Sequence, residues 1–217
     1  MRFSLSLMFC VTIAFSQSND SQLAYQFYQA GEYDKAIEIY KELSKGYNFT
    51  QYYQPYFQSL IFVENFSDSE KLAERMIKRN SNYLPYHVDL YMIYKKTGED
   101  VKAEKNLKKI SEKLKKQDNQ VISVSNSFRK YSFYQEALDL FLLVEKNSET
   151  NKTYPIQKAQ LYQYLSDDEM MINEYLKYLE KNPTQKITIL NYLQRYLDNN
   201  GIANENNFTL VKNGLLR

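Results

Sequence analysis

The stretch Gly31-Glu-Tyr-Asp-Lys-Ala-Ile-Glu-Ile-Tyr40 constrains the fold most, because it predicts a tight turn that runs into a helix. Its pattern also recurs along the chain. Ala137 follows Ala103 at a period of about 34 residues, and Gly98 follows Gly31 at close to two such periods. A repeat of this length predicts two antiparallel helices per unit, and one such unit cannot bury its apolar face without a neighbour.

Helical spacing of apolar residues predicts about six antiparallel helix pairs over residues 17–217, in an all-α chain. The second repeat, at about residues 48–81, is expected to be distorted. Ala73 lies more than one period after Ala36 and less than one period before Ala103, so we expect a longer turn at residues 65–68 and a second helix displaced along its axis.

This pattern resembles the tetratricopeptide repeat (TPR) family, in residue types as well as in period. The resemblance covers residues 18–216 and weakens towards the C-terminus. It implies a right-handed α-solenoid that acts in protein–protein interaction. It rests on small, aromatic, apolar, glycine and proline positions: Ala24, Tyr28, Gly31, Tyr33, Ala36, Tyr40, Leu43, Gly98, Ala103, Ala137 and Pro183.

Residues 1–16 form a separate segment with the pattern of a cleaved secretory signal. Arg2 precedes a short apolar run, and Ala14-Phe15-Ser16 places small residues three and one before the bond to Gln17. The sequence therefore predicts export to a periplasm or cell envelope, with secretion as the less favoured outcome. Together with the Lys-, Asn- and Tyr-rich composition, the segment resembles the exported TPR proteins of Bacteroidetes cell envelopes. After cleavage, no apolar run is long enough to span a membrane.

The residue inventory argues against an enzyme. The single cysteine, Cys10, lies in the predicted signal, and His87 is the sole histidine, so no transition-metal site is expected. No nucleophile motif or glycine-rich phosphate loop is present, so we expect no catalytic residue, no cofactor and no small-molecule substrate. The 28 basic and 26 acidic residues nearly cancel, which argues against nucleic acid as a partner.

The predicted functional surface is the concave groove that, in the TPR family, the first helix of each pair lines. Its entrance is expected to be aromatic and its middle basic, which suits a protein or peptide with acidic residues and an apolar anchor. Solvated residues and an unused groove are the alternative. The predicted groove residues are Tyr25, Tyr28, Gln29, Met92, Lys95, Lys96, Asn126, Arg129, Lys130, Gln160 and Gln163.

Two functional hypotheses remain open at this point. The favoured one is a non-enzymatic scaffold that binds a peptide or partner protein through the groove. The alternative is the sensor or assembly arm of a larger envelope secretion or signalling protein whose active part lies beyond Arg217. The apolar residues near the C-terminus motivate it, because a repeat array is expected to end on a polar capping helix.

Overall fold

The computed structural model describes residues 19–46, 49–147, 152–199, 208–209 and 211–213, and these residues form helices and turns without a strand. The predicted signal at 1–16 and Cys10 lie outside them. The helices are α1 (19–29), α2 (Tyr33–Leu43), α3 (Tyr53–Phe62), α4 (Phe66–Arg79), α5 (Pro85–Lys96), α6 (Asp100–Lys116), α7 (Val121–Lys130), α8 (Tyr134–Asn147), α9 (Pro155–Tyr164), α10 (Asp168–Lys181) and α11 (Lys186–Asn199).

Short 3₁₀ turns precede α3, α7 and α11, and Pro183 begins the last of them. The chain divides into two compact units, Met1–Asn106 and Leu107–Arg217. In the second unit α7 packs on α8, and α9 packs on α10. In the first, α3 contacts both α2 and α4, and α4 contacts α5. The all-α helical-repeat prediction is confirmed, with α1–α10 arranged as five hairpins among the described residues.

The same turn joins the two helices of each of these hairpins. One residue in each turn has a positive φ, and these residues recur at a period of about 34 positions: Gly31, Glu64, Gly98, Ser132 and Ser166. The amide of the following residue donates to the carbonyl five residues back, as from Glu32 to Phe27 at 2.9 Å and from Asp167 to Tyr162 at 2.9 Å. This pattern satisfies the otherwise unpaired carbonyls at the end of the first helix.

The second repeat lacks the longer turn that was expected at residues 65–68, because α4 begins at Phe66. Its turn has a positive φ at Glu64 and the same hydrogen bond, from Asn65 to Leu60 at 2.9 Å, as the other four turns. Ser69 is fully buried, five positions after its turn residue, as Ala36 is one repeat earlier and Ala103 one repeat later. The sequence suggested a distorted repeat because Glu64 replaces the turn glycine and Ser69 replaces the small apolar residue.

Exchanging the residues at two of these turns should change stability in opposite directions. Gly98→Ala should cost about 1 kcal/mol, because φ is +73° and an L side chain disfavours that region. A Cβ there would meet nothing within 4 Å, so the cost is conformational. Ser132→Gly should stabilise by roughly 0.5 kcal/mol, because φ there is 63° with a Cβ already present.

Urea unfolding followed by circular dichroism measures both changes. If both variants shift the free energy of unfolding in the same direction, the positive φ of the turn residue does not determine the effect of these substitutions.

The core of each unit combines small buried residues, where helices approach each other closely, with large buried side chains, most of which are aromatic. Ala24, Ala36, Ala103 and Ala137 are fully buried, which lets neighbouring helices approach closely. Large, fully buried side chains fill the remaining space: Phe49, Tyr53, Phe57 and Leu60 in the first unit, and Phe128 and Phe141 in the second. A tyrosine suits a position where its ring is buried and its hydroxyl has a partner, as in the 2.6 Å hydrogen bond from the Tyr53 hydroxyl to Asp89.

Buried tyrosines should make the fold sensitive to alkali. Burial raises the pKa of Tyr40 from 10.0 to about 12, and burial likewise raises the pKa of Tyr175. A raised pKa favours the protonated phenol of the folded state, so this stability is complete below pH 10 and is lost as pH rises towards 12.

The chain contains 21 tyrosines and no tryptophan, so tyrosinate absorbance can follow the titration without interference. A subset should ionise above the ordinary pKa, together with loss of helical circular dichroism. A single titration near the ordinary pKa with the helices intact would contradict this account.

A buried ion-pair network joins three helices of the second unit. Lys158 on α9 lies 2.7 Å from Glu145 on α8 and 3.1 Å from Glu174 on α10. Their side chains are 7%, 16% and 2% exposed, and Glu174 also accepts from Lys177 at 2.9 Å. The second oxygen of Glu145 accepts from the amide of Tyr154 at 2.7 Å, so both its oxygens have partners.

Burial alone would lower the pKa of Lys158. Its hydrogen bonds to Glu145 and Glu174 outweigh that effect and raise the pKa above its ordinary value. Lys158 is therefore charged at neutral pH, and its two ion pairs link α9 to α8 and to α10.

Candidate functional site

Four aromatic side chains of the first unit form a connected surface, which we call the aromatic patch: Tyr25 and Tyr28 from α1, Tyr33 from α2 and Phe62 from α3. Ring centroids lie 6.0 Å apart between Tyr25 and Tyr28, 6.2 Å between Tyr28 and Tyr33, and 4.5 Å between Tyr33 and Phe62. Tyr25 is 50% exposed and Phe62 is 59% exposed, so the two ends of the patch are open to solvent. Exposed neighbouring rings mark a surface that can take an apolar partner group.

Two glutamines border the aromatic patch and hold its phenols. The Gln29 amide donates to the Tyr25 hydroxyl at 2.7 Å. The Tyr28 hydroxyl donates to Gln58, and this hydrogen bond joins α1 to α3. Burial raises the pKa of Tyr28, and the neighbouring phenols of Tyr33 and Tyr25 raise it further, so Tyr28 remains a neutral donor. Rigid rings beside amides can combine apolar contact with hydrogen bonding to a peptide backbone.

The structure places the groove residues predicted on α5 in different environments. Met92 is 2% exposed and is a core residue, so its predicted place on an open groove is wrong. All ten residues from Pro85 to Tyr94 are buried, so α5 lacks the exposed face that the periodicity argument assumes. Lys95 and Lys96 lie beyond that stretch and are exposed, and Lys95 pairs with Asp100.

The remaining predicted groove residues lie in the second unit. On α7, Asn126 and Lys130 are exposed and Arg129 is half-buried. On α9, Gln163 is exposed and Gln160 is half-buried. These side chains offer amides and positive charge at the surface of α7 and α9, the first helices of their hairpins.

Sequence reasoning missed an aromatic pair that recurs in both units. Tyr33 stacks on Phe62 with 14° between the rings, and Tyr134 stacks on Tyr164 with 4° and a centroid distance of 4.5 Å. In each pair, one residue lies two positions after a turn and the other lies two positions before the next turn. Aromatic residues at those two offsets from successive turns were the signal available in the sequence.

His87 is a structural residue of the first unit. It is 2% exposed, its Nδ1 lies 3.1 Å from Asn106 Oδ1, and its carbonyl accepts from the Asn106 amide. The described part of the chain contains no group of three or more His, Cys, Asp or Glu side chains placed to hold a metal ion. In the same part of the chain, no helix combines the length and apolar character needed to cross a membrane.

Comparison with known proteins finds a sequence relative and several structural neighbours. A scan against protein-family models finds no match. The chain is 26% identical over 202 residues to a TPR repeat-containing protein of Methanocaldococcus jannaschii; the match covers 88% of this chain and 34% of the relative. The chain thus spans about a third of that relative's length.

Among solved structures, a TPR protein of Thermus thermophilus, TTC0263, aligns over 82% of this chain and 99% of its own, with a TM-score of 0.44 and 15% identity. MamA from AMB-1 aligns over 78% and 94%, with a TM-score of 0.39 and 14% identity. The sequence similarity to a TPR repeat-containing protein agrees with the resemblance seen in the residues, and the described helices form hairpins at the period of about 34 residues that such repeats have.

Proposed function

We propose that this protein is a non-enzymatic interaction scaffold that binds an extended peptide or a segment of a partner protein through its first helices. The exposed aromatic patch is the observation that supports the proposal most strongly. Tyr25 and Phe62 offer large rigid rings at low cost in conformational entropy, and Gln29 and Gln58 offer adaptable hydrogen bonds beside them.

Charge supports a partner with acidic residues next to an apolar anchor. Lys96 occupies in the third hairpin the position that Phe62 occupies in the second, counted from the turn residues Gly98 and Glu64. The first helices therefore present rings in the first two hairpins and exposed cations in the third. An acidic group on a partner would gain from those cations mainly in encounter rate and orientation.

A displayed peptide library tests this function, because it samples many candidate partner sequences at once. We expect selected peptides to combine an aromatic or large aliphatic residue with acidic residues. The Tyr25→Ala/Phe62→Ala variant should lose affinity for the selected peptide by about tenfold or more, because two exposed rings are removed from the contact.

Val101→Ala is the matched control, since Val101 is an 84% exposed apolar side chain on α6 and lies outside the aromatic patch. It should bind as the wild type does. Equal affinities of the double variant and the wild type would exclude the patch as the binding surface.

We also propose that the protein is exported to a periplasm or cell envelope, on the strength of the signal-like pattern of residues 2–16. N-terminal sequencing of the protein from its native host checks this directly. The expected mature chain begins at Gln17, and a chain that retains Met1 in the cytoplasm would exclude export.

A second candidate function is the sensor or assembly arm of a larger envelope secretion or signalling protein. The relative from M. jannaschii, of which the matched region is 34%, favours this candidate. Sequencing the gene downstream of the codon for Arg217 separates the two candidates. An open reading frame that continues into another domain supports the arm.

A further inference from the structure

A cleft of about 320 Å³ lies in the first unit, between the C-terminal turn of α2 and the first half of α4. Buried side chains form its floor: Ser44, Tyr56 and Leu72 are 5%, 7% and 6% exposed. The volume lies at the lower end of the range for small-molecule sites. Its other lining residues are Lys41, Lys45, Asp68, Lys71 and Arg75.

Two pairs of cations line this cleft, and the members of each pair are four positions apart in the sequence. Lys41 lies in the last turn of α2, and Lys45 lies two residues beyond its end, where it pairs with Glu42 at 2.7 Å; Lys71 and Arg75 lie one turn apart on α4. Like charges at this spacing repel each other. Because the whole chain carries a net charge of only +2, this local excess of positive charge is a specific feature of the cleft.

Arg75 is held in place before any ligand binds. Its Nη2 donates to the carbonyl of Ser44, and its guanidinium carbon lies 3.9 Å from the ring centroid of Phe49. The planar guanidinium has five donors, so most of them remain available after this contact. A fixed, stacked arginine is well suited to an oxyanion with several acceptor oxygens, above all a phosphate.

Asp68 and Tyr56, two further polar side chains of the lining, complement a hydroxylated ligand body. Asp68 is hydrogen-bonded by Lys71 at 3.0 Å, which holds the pKa of Asp68 below its usual value, so it is an ionised acceptor. Burial raises the pKa of Tyr56, and Asp68 raises it further, so its hydroxyl stays protonated and can donate. One acceptor among several cations suits a ligand that carries both a phosphate and hydroxyl groups.

We propose that this cleft binds a soluble phosphate monoester with a small hydroxylated body, such as a sugar phosphate. Lys41, Lys71 and Arg75 would contact the phosphate, and Asp68 would accept from a hydroxyl group. The cleft achieves with side chains what a glycine-rich loop achieves with backbone amides in other phosphate sites. It involves α2 and α4, so it does not depend on the aromatic patch of the proposed function.

Isothermal titration calorimetry of the full chain with glucose 6-phosphate, inorganic phosphate and glucose tests the proposal. Glucose 6-phosphate should bind with a millimolar or tighter dissociation constant, about tenfold tighter than inorganic phosphate, and glucose should not bind. Lys41→Ala and Lys71→Ala should each weaken binding about threefold to tenfold, and the affinity should fall as salt is raised.

Lys108→Ala, which removes an exposed lysine of α6 outside the cleft, is the matched control and should leave the affinity unchanged. Any of three results overturns the proposal: no heat from glucose 6-phosphate, equal affinity for it and inorganic phosphate, or an equal loss in Lys108→Ala. If the wild type binds no ligand and Lys41→Ala lowers the thermal stability, Lys41 instead stabilises the C-terminal end of α2 through the helix dipole.

Discussion

Replacing Lys158 with methionine is expected to lower the free energy of unfolding by about 3–5 kcal/mol, because it leaves the buried Glu174 and the largely buried Glu145 without their shared cation. Glu145 and Glu174 would both lose the ammonium that now lies 2.7 Å and 3.1 Å from their oxygens. Methionine retains most of the side-chain volume, so the loss reports charge more than packing. Urea unfolding of the two proteins measures it.

Lys177→Met is the matched control, because the Lys177 side chain is 58% exposed although it contacts the same Glu174. It should change the free energy of unfolding by less than about 0.5 kcal/mol. Adding Glu145→Gln and Glu174→Gln to Lys158→Met should recover part of the loss. A loss below about 1 kcal/mol in Lys158→Met would mean that the network does not stabilise the second unit.

The same network should respond to alkali in a defined direction. The folded state raises the pKa of Lys158 above 10.5, so its contribution is complete below that value and disappears as pH rises through the folded-state pKa. The difference in stability between the wild type and Lys158→Met should therefore narrow above pH 10.5.

Phe57→Ala is expected to lower the free energy of unfolding by about 3–5 kcal/mol, since it removes a fully buried ring from the first unit. The Phe57 ring centroid lies 5.4 Å from that of Tyr53, so the cavity would also deprive a buried neighbour of its contacts. Thermal or urea unfolding provides the measurement.

Phe62→Ala, on the same helix, provides the comparison. Phe62 is 59% exposed, so this variant should stay within about 1 kcal/mol of the wild type while it weakens peptide binding. The pair separates stability from binding on one helix. Equal destabilisation by the two variants would contradict the assignment of Phe57 to the core and Phe62 to the surface.

The helical hairpins could be predicted because the residue types that the turns and the helix contacts require recur at a fixed period. Gly31 and Gly98 stand where the backbone needs a positive φ, and Ala36, Ala103 and Ala137 stand where helices pack closely. The repeat register was predicted wrongly at Glu64 and Ser69. The backbone there has the same geometry as in the other repeats, but the residue types differ from the glycine and alanine found at those positions elsewhere. Packing between helices, which a local pattern does not report, keeps Ser69 buried, whereas backbone hydrogen bonds hold the turn at the exposed Glu64.

The Lys158 network could have been found from the repeat register. Counted from the turns, Lys158 holds the position of Leu23, Tyr56, Leu90 and Val124 in the four preceding repeats. Glu174 likewise holds a position that carries Ile39, Leu72 and Leu140 in three of them. Opposite charges at apolar positions of one repeat predict a buried pair.

The candidate site was less predictable than the fold. Tyr25, Tyr28 and Gln29 come together as one surface because they share a face of α1. The prediction for Met92 is wrong because α5 is buried around its whole circumference. That burial depends on the segments that pack against α5, which the sequence of α5 does not reveal. Periodicity identifies a face of a helix, but it does not tell which faces remain open.

Site-specific photo-crosslinking of the library-selected peptide tests the central claim most directly. A photoreactive residue replaces Gln29 on α1 in one protein and Glu38, an exposed residue of α2, in another. If the first helices bind the peptide, the Gln29 protein should form the covalent adduct and the Glu38 protein should not. An adduct of equal or higher yield from Glu38 would contradict binding by the first helices.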